Sequence, residues 1–352
     1  MRTTRTGKLH VAPEASFRFD YRPRVNTRKV RDVAVKAREF LNANEGHPFF
    51  LMVNYSDPHA YRESRQSRAW FFQDQVDGIP ADPIKPSGKT IFPWQGIDTP
   101  EMRVRTAGYY NTVKRLDIGV GLLMNTLKAA GHDGDTLVIF VGDHGPPFCR
   151  GKTTCYEAGL RVPFIVRWPG VSTPFASDAM VSTIDILPTI LDATGQPSPG
   201  TMHGRSLRPV VSDPQAAWRD HLVGEFHFHG RRPFYPRRAI RDERFKLIHN
   251  LRAGSEKPGP GIDGDPAYRQ SQTAAFADTR IQRAFNTFAD PPEFELYDLR
   301  SDPIEFENLA GKPEFKATED SLKRGLLEYR RATDDPFLHR EIMQKMIDHA
   351  RQ

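Results

Sequence analysis

Thr136-Leu137-Val138-Ile139-Phe140-Val141-Gly142-Asp143-His144-Gly145 carries the strongest signal in the chain for how it folds. The apolar run from Leu137 to Val141 is unbroken, too continuous for a strand with one wet face and too short for a helix, so it predicts a buried strand. It stops abruptly at Gly-Asp-His-Gly, which puts a carboxylate and an imidazole at the strand's carboxyl end.

The same texture recurs on either side. Pro48-Phe49-Phe50-Leu51-Met52-Val53-Asn54 is a second apolar run, ending at Ser56-Asp57-Pro58-His59, and Val162-Pro163-Phe164-Ile165-Val166-Arg167-Trp168 is a third, with Pro163 favouring a strand start or edge. Helical spacing fills the intervals. In residues 28–44, Val30, Val33, Ala34, Ala37, Phe40 and Leu41 share one face between charged positions, and further helices are predicted over about 100–130 and 185–194. Residues 72–100, rich in Pro, Gly and Asp, read as a long surface excursion. Alternating helices and apolar strands imply an α/β fold with a mostly parallel sheet flanked by helices. Such sheets bind ligands beyond the carboxyl ends of their strands, which singles out His59 and Asp143.

Beyond about residue 205 the texture becomes Arg- and Pro-rich, followed by a Gly/Pro linker at 253–266, the stretch Phe294-Glu295-Leu296-Tyr297-Asp298, and helical segments at 314–333 and 338–349. This predicts an α/β domain over 1–205, which the family resemblance given below makes the catalytic one, and a smaller α+β subdomain over 206–352.

Composition narrows the class. The 352 residues are 38% hydrophobic and 27% charged with 2 Cys, which excludes collagen-like, disulfide-framework and wholly disordered chains. No apolar stretch approaches the ~18 residues of a membrane span. Cys149 and Cys155 are expected to be free thiols. A net charge of +6 suits an anionic partner such as an acidic, sulfated or phosphorylated carbohydrate. Nucleic acid is not the expected partner, because no recognised binding module accompanies the basic residues. The basic opening, Met1 to His10, has no apolar core and is not a signal peptide as written.

Several residues could do chemistry, each beside a plainer alternative. Asp143-His144-Gly145 alone is a weak motif that an ordinary turn could supply; Arg150, Lys152 and Glu157 close by give it the setting of an anion site. Lys8 and His10 alternate, so on an extended strand they share a face on which one could bind an oxyanion and the other move a proton. Against that, basic N-terminal tails are usually disordered. His227 and His229 share a face of a predicted strand, and without a third His or a Cys at ligand spacing they suit substrate contact or structure better than a metal. A buried Cys155 is a more common case than a nucleophilic one.

Taken in order, these residues resemble the sulfatase family. Gly7-Lys8-Leu9-His10, Asp57-Pro58-His59, the helix Tyr109 to Asp117, the run ending in Gly142-Asp143-His144-Gly145, and Lys152 followed by Tyr156-Glu157-Ala158-Gly159-Leu160-Arg161-Val162-Pro163 stand in sulfatase order. So do Asp185-Ile186-Leu187-Pro188-Thr189, Gly204-Arg205-Ser206-Leu207 and Glu295-Leu296-Tyr297-Asp298-Leu299. Residues 227–251, with Tyr235-Pro236-Arg237-Arg238, look like the heparan N-sulfatase (sulfamidase) branch.

The resemblance implies an alkaline phosphatase-like fold and hydrolysis of a sulfate ester or N-sulfo group by a formylglycine nucleophile, made from Cys or Ser in Cys/Ser-x-Pro/Ala-x-Arg, with a calcium ion. Asp143 and His144 would then be metal ligands, although imidazole suits zinc or manganese better than hard calcium. Lys8 and Lys152 would hold sulfate oxygens, His10 would orient or deprotonate the nucleophile, and His59 would serve the leaving group. His227, His229, Arg237 and Arg238 are the candidate substrate contacts. No Cys or Ser of the chain fits the formylglycine motif, and the paired-aspartate strand is absent; the family places both before Gly-Lys-x-His. The expectation is an N-terminally truncated sulfatase, inactive as given, whose periplasmic or secreted location would depend on a signal preceding Met1. Two other functions fit the same residues: a phosphodiesterase or phosphonate hydrolase of the superfamily, and a non-catalytic binder of anionic glycans using Lys8, Lys152, Arg161 and the 231–241 cluster.

Overall fold

A computed structural model describes residues 1–352 apart from Glu45, Arg65, Arg68, Ala69, Arg231, Arg351 and Gln352. The chain divides into two compact units, Met1–Phe92 with Asp98–Thr136, and Pro93–Ile97 with Leu137–Gln352.

The first unit contains β1 (Arg2–Gly7), α1 (Val30–Asn42), β2 (Phe49–Asn54) and α2 (Pro100–Ala129). β1 and β2 run parallel, from Arg2 opposite Phe49 to Gly7 opposite Asn54, so both end at the same edge. The N-terminal segment is thus a strand and not a loose tail, with Thr4 and Thr6 buried on its inner face. Lys8-Leu9-His10 lies just past the end of that strand instead of on it. α1 buries Val30, Val33, Ala37, Phe40 and Leu41, the stripe that the sequence spacing predicts. α2 starts at Thr99, whose side chain accepts from the Met102 amide, with Pro100 in the first turn, where its missing N–H costs nothing. Gly119 lets the two helices approach: a Cβ there would come within 2.8 Å of Val30 Cγ1.

The second unit opens with β3 (Val138–Val141), α3 (Glu157–Leu160), β4 (Phe164–Arg167), α4 (Ile186–Ala193) and α5 (Arg208–Ser212). It continues with β5 (Leu222–Phe226), β6 (Arg237–Arg241), β7 (Phe245–Asn250), α6 (Ala267–Ser271), α7 (Arg280–Ala289), β8 (Phe294–Asp298), α8 (Lys316–Ala332) and α9 (Arg340–Ala350). β5 to β8 form an antiparallel sheet in chain order. Its core is Ile240, Leu247 and Leu296 from the strands against Leu309, Leu322 and Leu326; burying each such side chain contributes ~1.5–3 kcal/mol.

Helices and strands are mixed as the sequence implies, but the pairing differs from a mostly parallel sheet. Among the named strands of the described residues, β1 and β2 alone pair in parallel; β3 and β4 are antiparallel. A parallel neighbour needs a substantial crossover element, and the connection from β3 to β4 contains only the one-turn helix α3. The strands β2 and β3, expected to be buried, are half-buried at every position. His227-Phe228-His229 is not a strand either. β5 ends at Phe226, Gly230 turns the chain at φ 57°, and Pro233 and Pro236 lack the amide that a ladder requires. No helix among the described residues is long and apolar enough to cross a membrane.

Candidate active site

In the second unit the loop leaving β3 carries the predicted residues. Asp143 points outward with its side chain 88% exposed, 3.6 Å from His144 Nε2, and His144 Nδ1 lies 2.8 Å from the Gly145 carbonyl. The Gly145 amide donates to Gly159 O at 2.9 Å, and a Cβ on Gly145 would sit 1.8 Å from Ala158 O, so only glycine fits.

The next turn is strained. Arg150 and Thr153 both adopt left-handed backbone, φ 66° and 72°, costing roughly 1–2 kcal/mol each for non-glycine residues. Their surroundings hold them there. The buried Arg150 guanidinium donates to the carbonyls of Ala284 (3.1 Å), Ile304 (3.0 Å) and Glu305 (2.6 Å) and lies against the rings of Tyr156 and Phe306. Arg232 Nη1 donates to Thr153 Oγ1 at 2.8 Å. Asp265 Oδ2 accepts from the Cys149 amide (2.6 Å) and Gln95 Nε2 (2.8 Å).

Between the two strained residues stands Lys152, 4% exposed, with Nζ 3.5 Å from Asp263 Oδ2. His229 is held below its usual pKa, first by burial and then by the positive field of Lys152, with Asp263 opposing and His144 and Arg232 adding to the depression. Lys152, Asp263, His144 and Arg232 are therefore all within electrostatic reach of one imidazole. Behind the turn, buried Lys246 bridges Glu157 (3.1 Å) and Glu305 (2.7 Å), and Arg241 Nη1 donates to Glu157 Oε2 at 2.6 Å. Burial alone would raise the Glu157 carboxyl; Lys246 and Arg241 outweigh it and hold the group below its ordinary range.

The other predicted contacts lie elsewhere. His227 Nε2 is 3.3 Å from Glu225 Oε2, with its ring edge-on to Phe337. Arg238 makes a two-point ion pair with Asp335 at 2.8 and 2.7 Å, which Arg330 shares at 2.6 Å. Arg237 is buried beside Tyr235 and Arg232 on a cavity of about 10 Å³, room for at most one water and not for a sugar. Arg161 is exposed, and Arg231 lies outside the described residues. Cys149 and Cys155 are buried free thiols; burial pushes Cys155 up to about 11 and Cys149 well above its ordinary value, so neither is a nucleophile in this fold.

In the first unit, Lys8 and His10 are exposed at the carboxyl end of β1, and Asn54 Nδ2 donates to Lys8 O at 2.7 Å. His59 follows β2, its Nδ1 2.7 Å from Ala60 O and its ring 5.8 Å from that of Trp70. Two arginines fix this loop: Arg115 clamps buried Asp57, and Arg28 approaches Asp57 at 3.3 Å while donating to His59 O at 2.7 Å. Asp57, Arg115 and Asp263 are roles that sequence reasoning missed. Asp57 adjoins a predicted residue, but nothing local in the chain pairs it with a helix far downstream.

The described residues contain no group of three or more His, Cys, Asp or Glu side chains placed to hold a metal ion. Asp143 brings one exposed carboxylate and His144 an imidazole, whereas calcium takes six to eight oxygens. These two residues do not fit calcium by themselves.

The sulfatase family model matches residues 10–196, and a model of the N-sulphoglucosamine sulphohydrolase C-terminal region matches 142–267. Human N-sulphoglucosamine sulphohydrolase is 32% identical over 379 residues, covering 96% of this chain and 73% of that protein. An ulvan-active sulfatase of Formosa agariphila is 26% identical over 336 residues, covering 94% of this chain and 62% of its own length. A protein solved in complex with its substrate D-glucosamine-2-N,6-O-disulfate shares the fold, with a TM-score of 0.63 at 18% identity over 95% of this chain and 80% of that one. The order of motifs and the extent of these matches place the chain in the sulfatase family of the alkaline phosphatase superfamily.

Proposed function

We propose that the chain carries the sulfate-recognition and proton-transfer groups of a hydrolase for a sulfated carbohydrate, acting on a sulfate ester or N-sulfo group. The observation that carries this reading is Lys152: a buried ammonium, countered by Asp263 and carried on the strained loop that follows a strand's carboxyl end. A lysine with no task would be solvated; this one is kept where a sulfate oxygen could exchange for the carboxylate of Asp263. In sulfuryl transfer, negative charge shifts toward the leaving atom, and fixed cations on the remaining oxygens stabilise that shift.

From the family resemblance, Lys8 is proposed as a sulfate-oxygen contact carried by the first unit. His10 orients or deprotonates the nucleophile, and His59, on a loop pinned by Asp57 and Arg115, protonates the departing alkoxide or amine. His229 contacts the sugar, and Asp263 neutralises Lys152 until a sulfate oxygen displaces it. Arg237 and Arg238 support the fold in this reading, one beside a water-sized cavity and one in an ion pair with Asp335. A catalytic domain over 1–205 and a subdomain over 206–352 are proposed by sequence texture; the sulfatase match ends near that boundary, at residue 196, while the C-terminal-region match, 142–267, crosses it. Formylglycine supplies the attacking oxygen in this family; its motif is not among these 352 residues, so the chain by itself binds sulfated sugar with little turnover. No step is assigned to a metal.

The test is calorimetric titration of purified protein with N-sulfoglucosamine and an aryl sulfate, with released sulfate measured by ion chromatography. Binding without release is expected. Release would overturn the inactivity, and absence of binding would overturn the whole reading. Tighter binding of a phosphodiester than of either sulfate would favour the phosphodiesterase reading.

A further inference from the structure

The first unit holds a cavity of about 530 Å³ at the carboxyl ends of β1 and β2, lined in part by Arg5, Lys8, Glu14, Arg22, Arg24 and Ser56. Its volume lies within the ~300–1,000 Å³ typical of ligand pockets, and its position is where parallel strands present ligands. Charge is its distinctive property: four cationic side chains line it against one carboxylate.

That carboxylate is already occupied. Glu14 Oε1 is 3.2 Å from Arg5 Nη2 and 3.7 Å from Arg22 Nη1. Arg5 is further fixed by donating to Gly7 O at 2.6 Å, and Arg22 by donating to Phe17 O at 3.2 Å. Two oriented guanidiniums thus sit on one wall. Lys8 and Arg24 have no carboxylate within 4.0 Å among the described residues, so the cavity keeps an excess of positive charge that its own acid does not cancel. One sulfate takes only Lys8 from this cavity, and the three arginines remain.

We infer that the Arg5, Arg22 and Arg24 wall is a subsite for a second anionic group, a carboxylate or sulfate, on the same glycan that presents its sulfate to Lys8. The inference rests on the sulfated-carbohydrate reading and adds to it that the preferred substrate is multiply charged. Planar guanidiniums suit either anion through paired N–H donors.

The test compares two probes by calorimetry: N-sulfoglucosamine, and the same sugar joined to a uronic acid. Arg22→Gln and Arg24→Gln alter exposed side chains, and an unchanged melting temperature confirms folding. The wild-type protein is expected to bind the disaccharide at least tenfold more tightly than the monosaccharide. Each variant is expected to lose roughly three- to tenfold of that preference, with monosaccharide affinity unchanged. Equal affinity of the wild type for the two probes, or full preference retained in the double variant, would overturn the subsite while leaving the sulfated-sugar reading intact. Failure of the wild type to bind either probe would overturn both.

Discussion

Arg115 grips Asp57 at two points, Nε to Oδ2 at 2.6 Å and Nη2 to Oδ1 at 3.0 Å, with the two side chains 0% and 1% exposed. Removing Arg115 leaves the buried Asp57 carboxylate with Arg28, at 3.3 Å, in place of a two-point clamp, and breaking such a buried pair costs up to about 3–5 kcal/mol. Arg115→Met is therefore expected to lower stability in urea denaturation by about that amount. Replacing both residues, Arg115→Met with Asp57→Leu, is expected to recover part of the loss. A single variant within ~1 kcal/mol of wild type would show that the pair does not fix the His59 loop.

Lys152→Met leaves Asp263 without its ammonium partner in a partly covered position. N-sulfoglucosamine affinity is expected to fall by tenfold or more in titration calorimetry, since a charge-assisted hydrogen bond is worth ~1.5–3 kcal/mol. Asp263→Asn keeps the lysine and removes its internal competitor, so affinity is expected to hold or rise. A fall in both variants would mean that Asp263 is needed to aim Lys152.

Acid stability follows from two groups near α8. His249 is held at about 4, against 6.5, by burial first and then by Arg330, Lys323 and Arg238, with Asp335 opposing. Its folded form stays neutral while the unfolded chain takes up a proton, so unfolding binds more protons between pH 6.5 and about 4, and stability falls as pH drops through that window. The contribution is roughly 3 kcal/mol at most. Asp335 is pulled up by burial but held at about 2 by the hydrogen bonds of Arg238, the Phe337 amide and Arg330, so its contribution is present above 3.8 and lost as pH falls toward 2. Urea midpoints measured from pH 7 to 4 are expected to decline, and His249→Phe, which keeps a ring against Phe294, is expected to flatten that decline.

How much of this is legible in the sequence depends on how local each cause is. Spacing over 28–44 predicts α1 to within two residues at either end, and α2 lies where a helix over about 100–130 is expected, because periodicity is a property of neighbouring residues. β1 is another matter. Arg2-Thr3-Thr4-Arg5-Thr6-Gly7 contains no apolar residue, and its strand exists through pairing with β2, more than forty positions away. Asp143, His144 and Lys152 are candidates by motif order. Asp263 reaches Lys152 only because the Gly/Pro segment folds back over the loop, with Asp263 itself at φ 45°. Arg238 looked like a substrate contact as one of a run of arginines; its partner Asp335 is 97 positions downstream, and no local pattern announces it.

Both thiols are sealed inside the second unit, Cys149 and Cys155 each at 0% exposure, with their pKa values raised. The native protein is expected to react with a thiol reagent at pH 8 far more slowly than the unfolded chain, which exposes both groups. Rapid modification of either thiol in the native state would reopen it as a nucleophile.

Gly145 is the position where the candidate loop tolerates least. The Ala158 carbonyl stands 1.8 Å from where a Cβ would be, and the Gly145 amide donates to Gly159 O. The neighbours cannot yield cheaply, because Gly159 itself is closed in by the carbonyls of Gly151 and Thr154 at 2.6 and 2.7 Å from its own Cβ position. Gly145→Ala must therefore push residues 145–160 apart as a block, displacing Lys152, while the β5 to β8 sheet keeps its own leucine core. The expected result is lost N-sulfoglucosamine binding and fast amide exchange confined to 145–160, with exchange in β6 and β7 unchanged. Uniformly faster exchange would instead tie the loop to the stability of the whole second unit.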